Sequence, residues 1–256
     1  MLTGGKPHHQ QLHRGKMKAE PLSAVVDTKK AIIFDLFHTL TALESAWAGG
    51  RPMTCELLGV SKAAWDEQLQ QNSQDRLTGK KRDAFAIVAE MAHAIDPLIS
   101  DDVIRAAVEN RIARFAAALI HVPRETQEVL RRLRAKNKRI GLISNADVME
   151  VAAWGRSPIA PFFDSVVFSC FVGCVKPERD IYEICMRQLE VTPGESVFVG
   201  DGGSRELEGA RSLGITTVMV TGIIREIWPE RIADRERHAD FVIERLGELY
   251  SEGASA

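Results

Sequence analysis

The strongest constraint on the fold is a repeated pattern: short apolar runs that stop at a polar residue. Ala31-Ile32-Ile33-Phe34 ends in Asp35, Arg139-Ile140-Gly141-Leu142-Ile143 ends in Ser144-Asn145, and Ser196-Val197-Phe198-Val199 ends in Gly200-Asp201. Runs this short and β-branched read as buried strands. A buried carboxylate is costly without partners, so Asp35 requires cations from later in the chain. Further strands are expected at 165–168, 216–220 and 241–243. Helical segments separate them. Residues 124–136 are amphipathic, with Val129, Leu130 and Leu133 inward and Asn137 just past the end. Residues 180–189 and 207–213 are the next two, the last ended by Gly214.

Strands alternating with helices predict an α/β fold: a doubly wound parallel sheet, Rossmann-like, with right-handed crossovers. Ligands bind such sheets beyond the carboxyl ends of the strands. Asp35, Ser144 and Asp201 each follow directly on a strand, so topology alone gathers them at one edge. Residues 41–120 differ. They hold helical periodicity and no convincing strand, with Ser61, Asp83 and Ser100-Asp101-Asp102 as helix starts. The expected organisation is an α/β core from 31–40 and 121–256, an inserted all-helical domain at 41–120, and a disordered polar extension at 1–30. The tail 251–256 should fray.

Composition excludes several function classes. A formal net charge of -2 provides no basic field for nucleic acid. No apolar run approaches the roughly 20 residues that span a bilayer, and the first thirty residues lack the apolar core of an export signal. Cys55, Cys170, Cys174 and Cys185 form no C-x-x-C pair and no zinc-ligand spacing. They read as reduced thiols, which places the chain in the cytoplasm. The expected partner is a small molecule, with the protein a monomer or homodimer.

The chemistry follows from the strand ends. Asp35 can attack an electrophilic phosphorus or carbon to form an ester that water then hydrolyses. Ser144 can hydrogen-bond an anionic substrate oxygen. Lys176, in Val175-Lys176-Pro177-Glu178, can neutralise the nucleophile and the developing charge. Asp201, with Gly202-Gly203 and Glu206 behind it, adds a second carboxylate cluster, and carboxylates around a phosphate suit Mg²⁺.

These pieces, in this order, resemble the haloacid dehalogenase (HAD) superfamily of hydrolases. Its four motifs are matched by Phe34-Asp35-Leu36-Phe37-His38-Thr39-Leu40, by Leu142-Ile143-Ser144-Asn145, by Gly173-Cys174-Val175-Lys176-Pro177, and by the stretch from Val199-Gly200-Asp201 to Gly209-Ala210. The resemblance runs from about 31 to 243. It implies that Asp35 is the nucleophile, that Thr39 supports the loop around it, and that Ser144, Asn145 and Lys176 bind the transferring group. It also implies a Mg²⁺ site made by Asp35, the Phe37 carbonyl and Asp201. Glu206 stands where many members carry a further aspartate, and is expected to act at one remove or through water. The helical insertion resembles the cap of such enzymes, and Arg51 on the loop entering it is a candidate grip on an anionic substrate.

One position departs from the pattern. Phosphatases of the superfamily usually carry a second aspartate two residues after the nucleophile, and here Phe37 stands there. Three readings stay open. The first is a Mg²⁺-dependent phosphatase acting on a small phosphorylated metabolite. The second is a 2-haloacid dehalogenase-like hydrolase, since halide needs no proton and such enzymes are aromatic at this place. The third is a catalytically weak, regulatory member that binds a phosphorylated ligand or a protein partner without useful turnover. His38 is the nearby residue able to replace the acid, but its ring is expected to point away from the substrate. Arg76, Lys80, Lys81 and Arg82 read as an exposed charge run, Trp228 as packing, and Phe171 and Cys174 as local packing.

Overall fold

The computed structural model describes residues 20–43 and 50–250. Six parallel strands form one sheet in the order β3-β2-β1-β4-β5-β6. They are β1 (Ala31–Phe34), β2 (Arg139–Ser144), β3 (Ser165–Phe168), β4 (Ser196–Gly200), β5 (Thr216–Val220) and β6 (Phe241–Ile243). From β1 the chain runs outward through β2 and β3, then returns to lay β4 on the other side of β1. The switch point lies between β1 and β4, where Phe34 pairs with Val199 and the Asp35 amide donates to the Val199 carbonyl at 2.9 Å. This is the crevice that doubly wound sheets offer to ligands.

Alternation along β1 divides the core. Ile32 and Phe34 pack on one face with Leu130 and Leu133 of the helix Arg124–Ala135. Ala31 and Ile33 pack on the other with Ile181, Tyr182 and Leu189 of the helix Arg179–Leu189. The first helix closes as its sequence predicts: Asn137 has φ 55, and the Lys138 and Asn137 amides donate back to Leu133 and Arg134 at 3.0 and 2.9 Å. Gly141 in β2 has a different role. A Cβ there would lie 2.7 Å from the Cys185 sulfur and 2.9 Å from a Leu189 methyl, so glycine admits the helix onto the sheet.

Among the described residues, five helices lie between β1 and Arg124: Thr54–Leu58, Lys62–Gln71, Ser73–Leu77, Ala84–Ile95 and Asp101–Ile120. They bury a cluster of their own around Trp65, Val88, Met91 and Ile104. Ser61 and Asp83 cap as expected, accepting from the Ala64 and Ala86 amides. Ser100 occupies the cap position without a side-chain hydrogen bond. No helix among the described residues is long and apolar enough to cross a membrane.

Two expectations need correction. Residues 22–28 do not belong to a disordered extension: Leu22–Thr28 is a helix, and Val26 is fully buried in the core beside the sheet. The polar neighbours hid a short apolar patch (Leu22, Val25, Val26) that has a surface to pack on only after the sheet forms. The remainder of that extension, residues 1–19, and the tail 251–256 lie outside the described residues. Arg76 does not belong to an exposed charge run either. It is buried and donates to Asp147 at 3.1 Å.

Gly141→Ala should destabilise the protein by about 1–3 kcal/mol, the cost of overpacking a filled interior. Urea unfolding of the two proteins measures it.

Candidate active site

Lys176 lies 4 % exposed under the carboxyl ends of β1 and β4. Its ammonium donates to Asp35 Oδ1 and to Glu206 Oε2, both at 2.5 Å. The other Asp35 oxygen, Oδ2, accepts from the Thr39 hydroxyl at 3.0 Å. All four groups are buried. Burial pushes the Asp35 carboxyl up from its ordinary pKa, Lys176 opposes this, and the Asp201 charge adds to it. Glu206 is raised well above its ordinary value by burial and then by Asp35. Burial works against the Lys176 charge, but Asp35 and Glu206 outweigh it and hold the ammonium protonated.

The loops fix these groups from behind. Asn145 spends both ends of its amide on the Lys176 backbone: Nδ2 donates to the Lys176 carbonyl at 3.0 Å and Oδ1 accepts its amide at 2.8 Å. Asn145 thus braces the Lys176 backbone, and it also borders the cavity. Tyr182 donates to the Glu206 carbonyl at 2.7 Å. Glu206 Oε1 accepts the Gly202 amide at 2.9 Å, and any side chain at Gly200 would collide with that oxygen. Glycines at the end of β4 thus let a full-length glutamate fold back into direct contact with Lys176.

Asp35, Asp201 and Glu206 each bring an oxygen within 4.8 Å of the others. Three hard oxygen donors at that spacing suit Mg²⁺. Asp201 is held at Oδ1 by the Gly203 amide at 2.9 Å and at Oδ2 by Arg235 at 2.5 Å. Among the described residues the ion-pair partners of the three carboxylates are Lys176 and Arg235, fewer cations than carboxylates. The donor set fits a divalent cation.

A cavity of about 280 Å³ opens on this cluster, bordered by Asp35, Ser144, Lys176, Asp201 and Glu206. Phe37 forms part of its wall and stands edge-on to Phe115, ring centroids 5.4 Å apart. A second cavity of about 720 Å³ adjoins it, sharing His38, Leu43, Phe115, Glu150 and Trp228. Arg51, which is exposed, borders this larger space and not the smaller one. Arg76 and Arg111 from the inserted helices also face it, paired with Asp147 and Glu150 just after β2. His38 has φ 65, borders both cavities, and packs its ring against Trp228, with centroids 4.8 Å apart.

Residues 29–214 match the model of the haloacid dehalogenase-like hydrolase family. The chain belongs to that family. Among curated relatives, glyceraldehyde 3-phosphate phosphatase of Methanothermobacter thermautotrophicus is 33% identical over 112 residues, covering 43% of this chain and 49% of the relative. Bifunctional epoxide hydrolase 2 of Rattus norvegicus is 35% identical over 78 residues, 30% of this chain and 14% of the relative. The chain spans at most about half the length of these relatives. Among solved structures, a dehalogenase aligns with a TM-score of 0.62 at 21% identity over 90% of this chain and 99% of that one. A HAD phosphatase from Thermococcus onnurineus aligns at 0.54 and 24% identity over 86% and 95%. Both likenesses show the shared fold.

Sequence reasoning missed part of this hydrolase's site. Residues 222–236 form the short helices Gly222–Ile227 and Ile232–Glu236, joined through Trp228 and the 3₁₀ turn Pro229–Arg231, between β5 and β6. They carry Trp228, Arg231 and Arg235 to the cavity. No strand end or motif marks them, so the sequence offered only the Trp228-Pro229 break as a signal. Phe171, read as packing, is 57% exposed, whereas Cys174 is buried as expected.

Lys176→Met leaves Asp35 and Glu206 buried without their shared cation, and should destabilise the metal-free protein by about 3–5 kcal/mol. The cost should be largest at neutral pH and above. It should shrink as pH falls and the two carboxylates, already raised, take up protons in the folded state. Urea titrations at pH 5 and pH 8 check the sign.

Proposed function

We propose that this hydrolase is a Mg²⁺-dependent phosphatase of small phosphorylated metabolites. The observation that carries the reading is the trio Asp35, Asp201 and Glu206, with oxygens within 4.8 Å beside Lys176. A phosphoryl group needs its charge neutralised from several sides, and this site offers an ammonium, a hydroxyl and a place for a divalent cation. Bound there, Mg²⁺ supplies charge neutralisation of the phosphoryl oxygens. Asp35 and Asp201 would hold it, with the Phe37 carbonyl and Glu206 as further ligands.

In this reading Asp35 is the nucleophile. Its Oδ2 accepts from Thr39, which orients the carboxylate, and Oδ1 rests on Lys176. The carboxylate attacks phosphorus, the P–O ester bond breaks, and the leaving oxygen takes a proton from solvent. Water then attacks the aspartyl-phosphate, gives up its proton to solvent, and restores the Asp35 carboxylate as phosphate departs. Ser144 and Lys176 donate to the phosphoryl oxygens. The inserted helices act as the cap that closes over the site, and the larger cavity takes the remainder of the substrate. Arg51 borders that cavity and attracts an anionic group on it.

A specific observation supports dehalogenation as the second reading. Phe37, edge-on to Phe115, makes an apolar wall where a proton donor stands in many phosphatases. A halide leaving group needs no proton and tolerates that wall.

Asp35→Asn should abolish turnover while leaving the circular dichroism spectrum unchanged; retained activity would sink the nucleophile assignment. Chelation should stop phosphate release from a panel of phosphorylated metabolites, whereas halide release from 2-halo acids that survives chelation would select the second reading. Phe37→Asp should raise the rate on alkyl phosphates by up to about 10²–10⁴-fold, the range of general-acid help. Steady-state phosphate release on one alkyl and one acyl phosphate measures it, and the acyl phosphate should gain less.

A further inference from the structure

The side chain of Arg235 is part of the carboxylate cluster. Its Nη1 donates to Asp201 Oδ2 at 2.5 Å and to the Asp201 carbonyl at 3.1 Å, and the side chain is 13% exposed. The turn after β4 is shaped to receive it. Gly202 has φ 84, and a Cβ there would lie 2.8 Å from the Arg235 Cβ. The guanidinium also lies 5.9 Å from the Trp228 ring, which carries Arg231 at 4.9 Å and His38 at its edge.

The two oxygens of Asp201 differ in how they are held. Oδ1 accepts a backbone amide two residues on, a contact fixed by the turn. Oδ2 is held by a flexible side chain from another element, so Arg235 is the group that can leave. A guanidinium and a divalent cation on one buried carboxylate repel each other strongly at low effective dielectric.

We propose that Arg235 is a resident counter-ion of the metal site: it competes with the divalent cation for Asp201, and metal binding displaces it toward the Trp228 side of the cavity. This rests on the Mg²⁺ reading above. Arg235 borders the same cavity as Ser144 and Lys176, so once displaced it could donate to a substrate anion there. Arg235 is thus a positioning residue for Asp201 before metal arrives and an anion-binding residue after it.

The test is calorimetric titration of MgCl₂ into the substrate-free wild-type protein and into Arg235→Gln and Arg235→Lys. Arg235→Gln should bind Mg²⁺ at least about tenfold more tightly, the scale of one charge-assisted hydrogen bond. Arg235→Lys keeps the charge and should stay within about threefold of wild type. Unchanged or weaker binding by a folded Arg235→Gln overturns the proposal. A second readout covers the case in which that variant misfolds: tryptophan fluorescence of wild type and Trp228→Phe during the same titration. A Mg²⁺-dependent change that disappears in Trp228→Phe supports displacement, and its absence in wild type overturns it. If wild type and Arg235→Gln are both folded and neither binds Mg²⁺, the metal reading fails and the competition with it. Competition refuted while both proteins bind Mg²⁺ leaves the phosphatase reading standing.

Discussion

The Lys176 ammonium donates to Asp35 and Glu206 at once, and the rest of the site is arranged so that it can. Three carboxylates converge under the strand ends, and a buried carboxylate without a partner is unstable. Asn145 fixes the Lys176 backbone, Tyr182 fixes the Glu206 backbone, and glycines at the end of β4 make room for the glutamate side chain. Each of these supports contributes little by itself, but together they define where one charge can sit.

The same electrostatics connects the site to the elements around it. Asp201 turns to Arg235, which arrives on the excursion between β5 and β6. Asp147 and Glu150, just beyond Ser144, turn to Arg76 and Arg111 of the inserted helices. The sheet edge is thus tied to both flanking structures by buried ion pairs. Such pairs contribute little net stability, because desolvation offsets their attraction, but they cannot be broken singly without leaving an unpaired charge. They fix how the inserted helices meet the core, and that meeting shapes the larger cavity.

Much of the site was legible beforehand for a physical reason. Parallel sheets gather strand ends on one edge, so Asp35, Ser144 and Asp201 could be placed together from local pattern alone, and Lys176 joined them through its motif. Less legible were contacts made by side chains of ordinary appearance on unremarkable segments. Arg235 sits in a charged run, Arg235-Glu236-Arg237, that reads as a solvated helix face. Arg76 sits in another. The role of a charged residue depends on what lies opposite it after folding, which local pattern does not contain. The ring of His38 illustrates the same point: it packs on Trp228, a partner 190 residues away in sequence.

By itself the sequence determined the strands, their parallel winding, the helical insertion, and the chemical types at the strand ends. These follow from apolar periodicity and from where polar residues interrupt it. It also determined that an apolar residue, Phe37, stands two positions after Asp35, which no fold can reverse. Only the tertiary structure decided that Glu206 shares the Lys176 ammonium directly, that Asn145 braces the Lys176 backbone, and that Arg235 holds Asp201. Those outcomes rest on long-range burial: charges brought together out of water must find partners within a few ångströms, and which partners are near is settled when the layers pack.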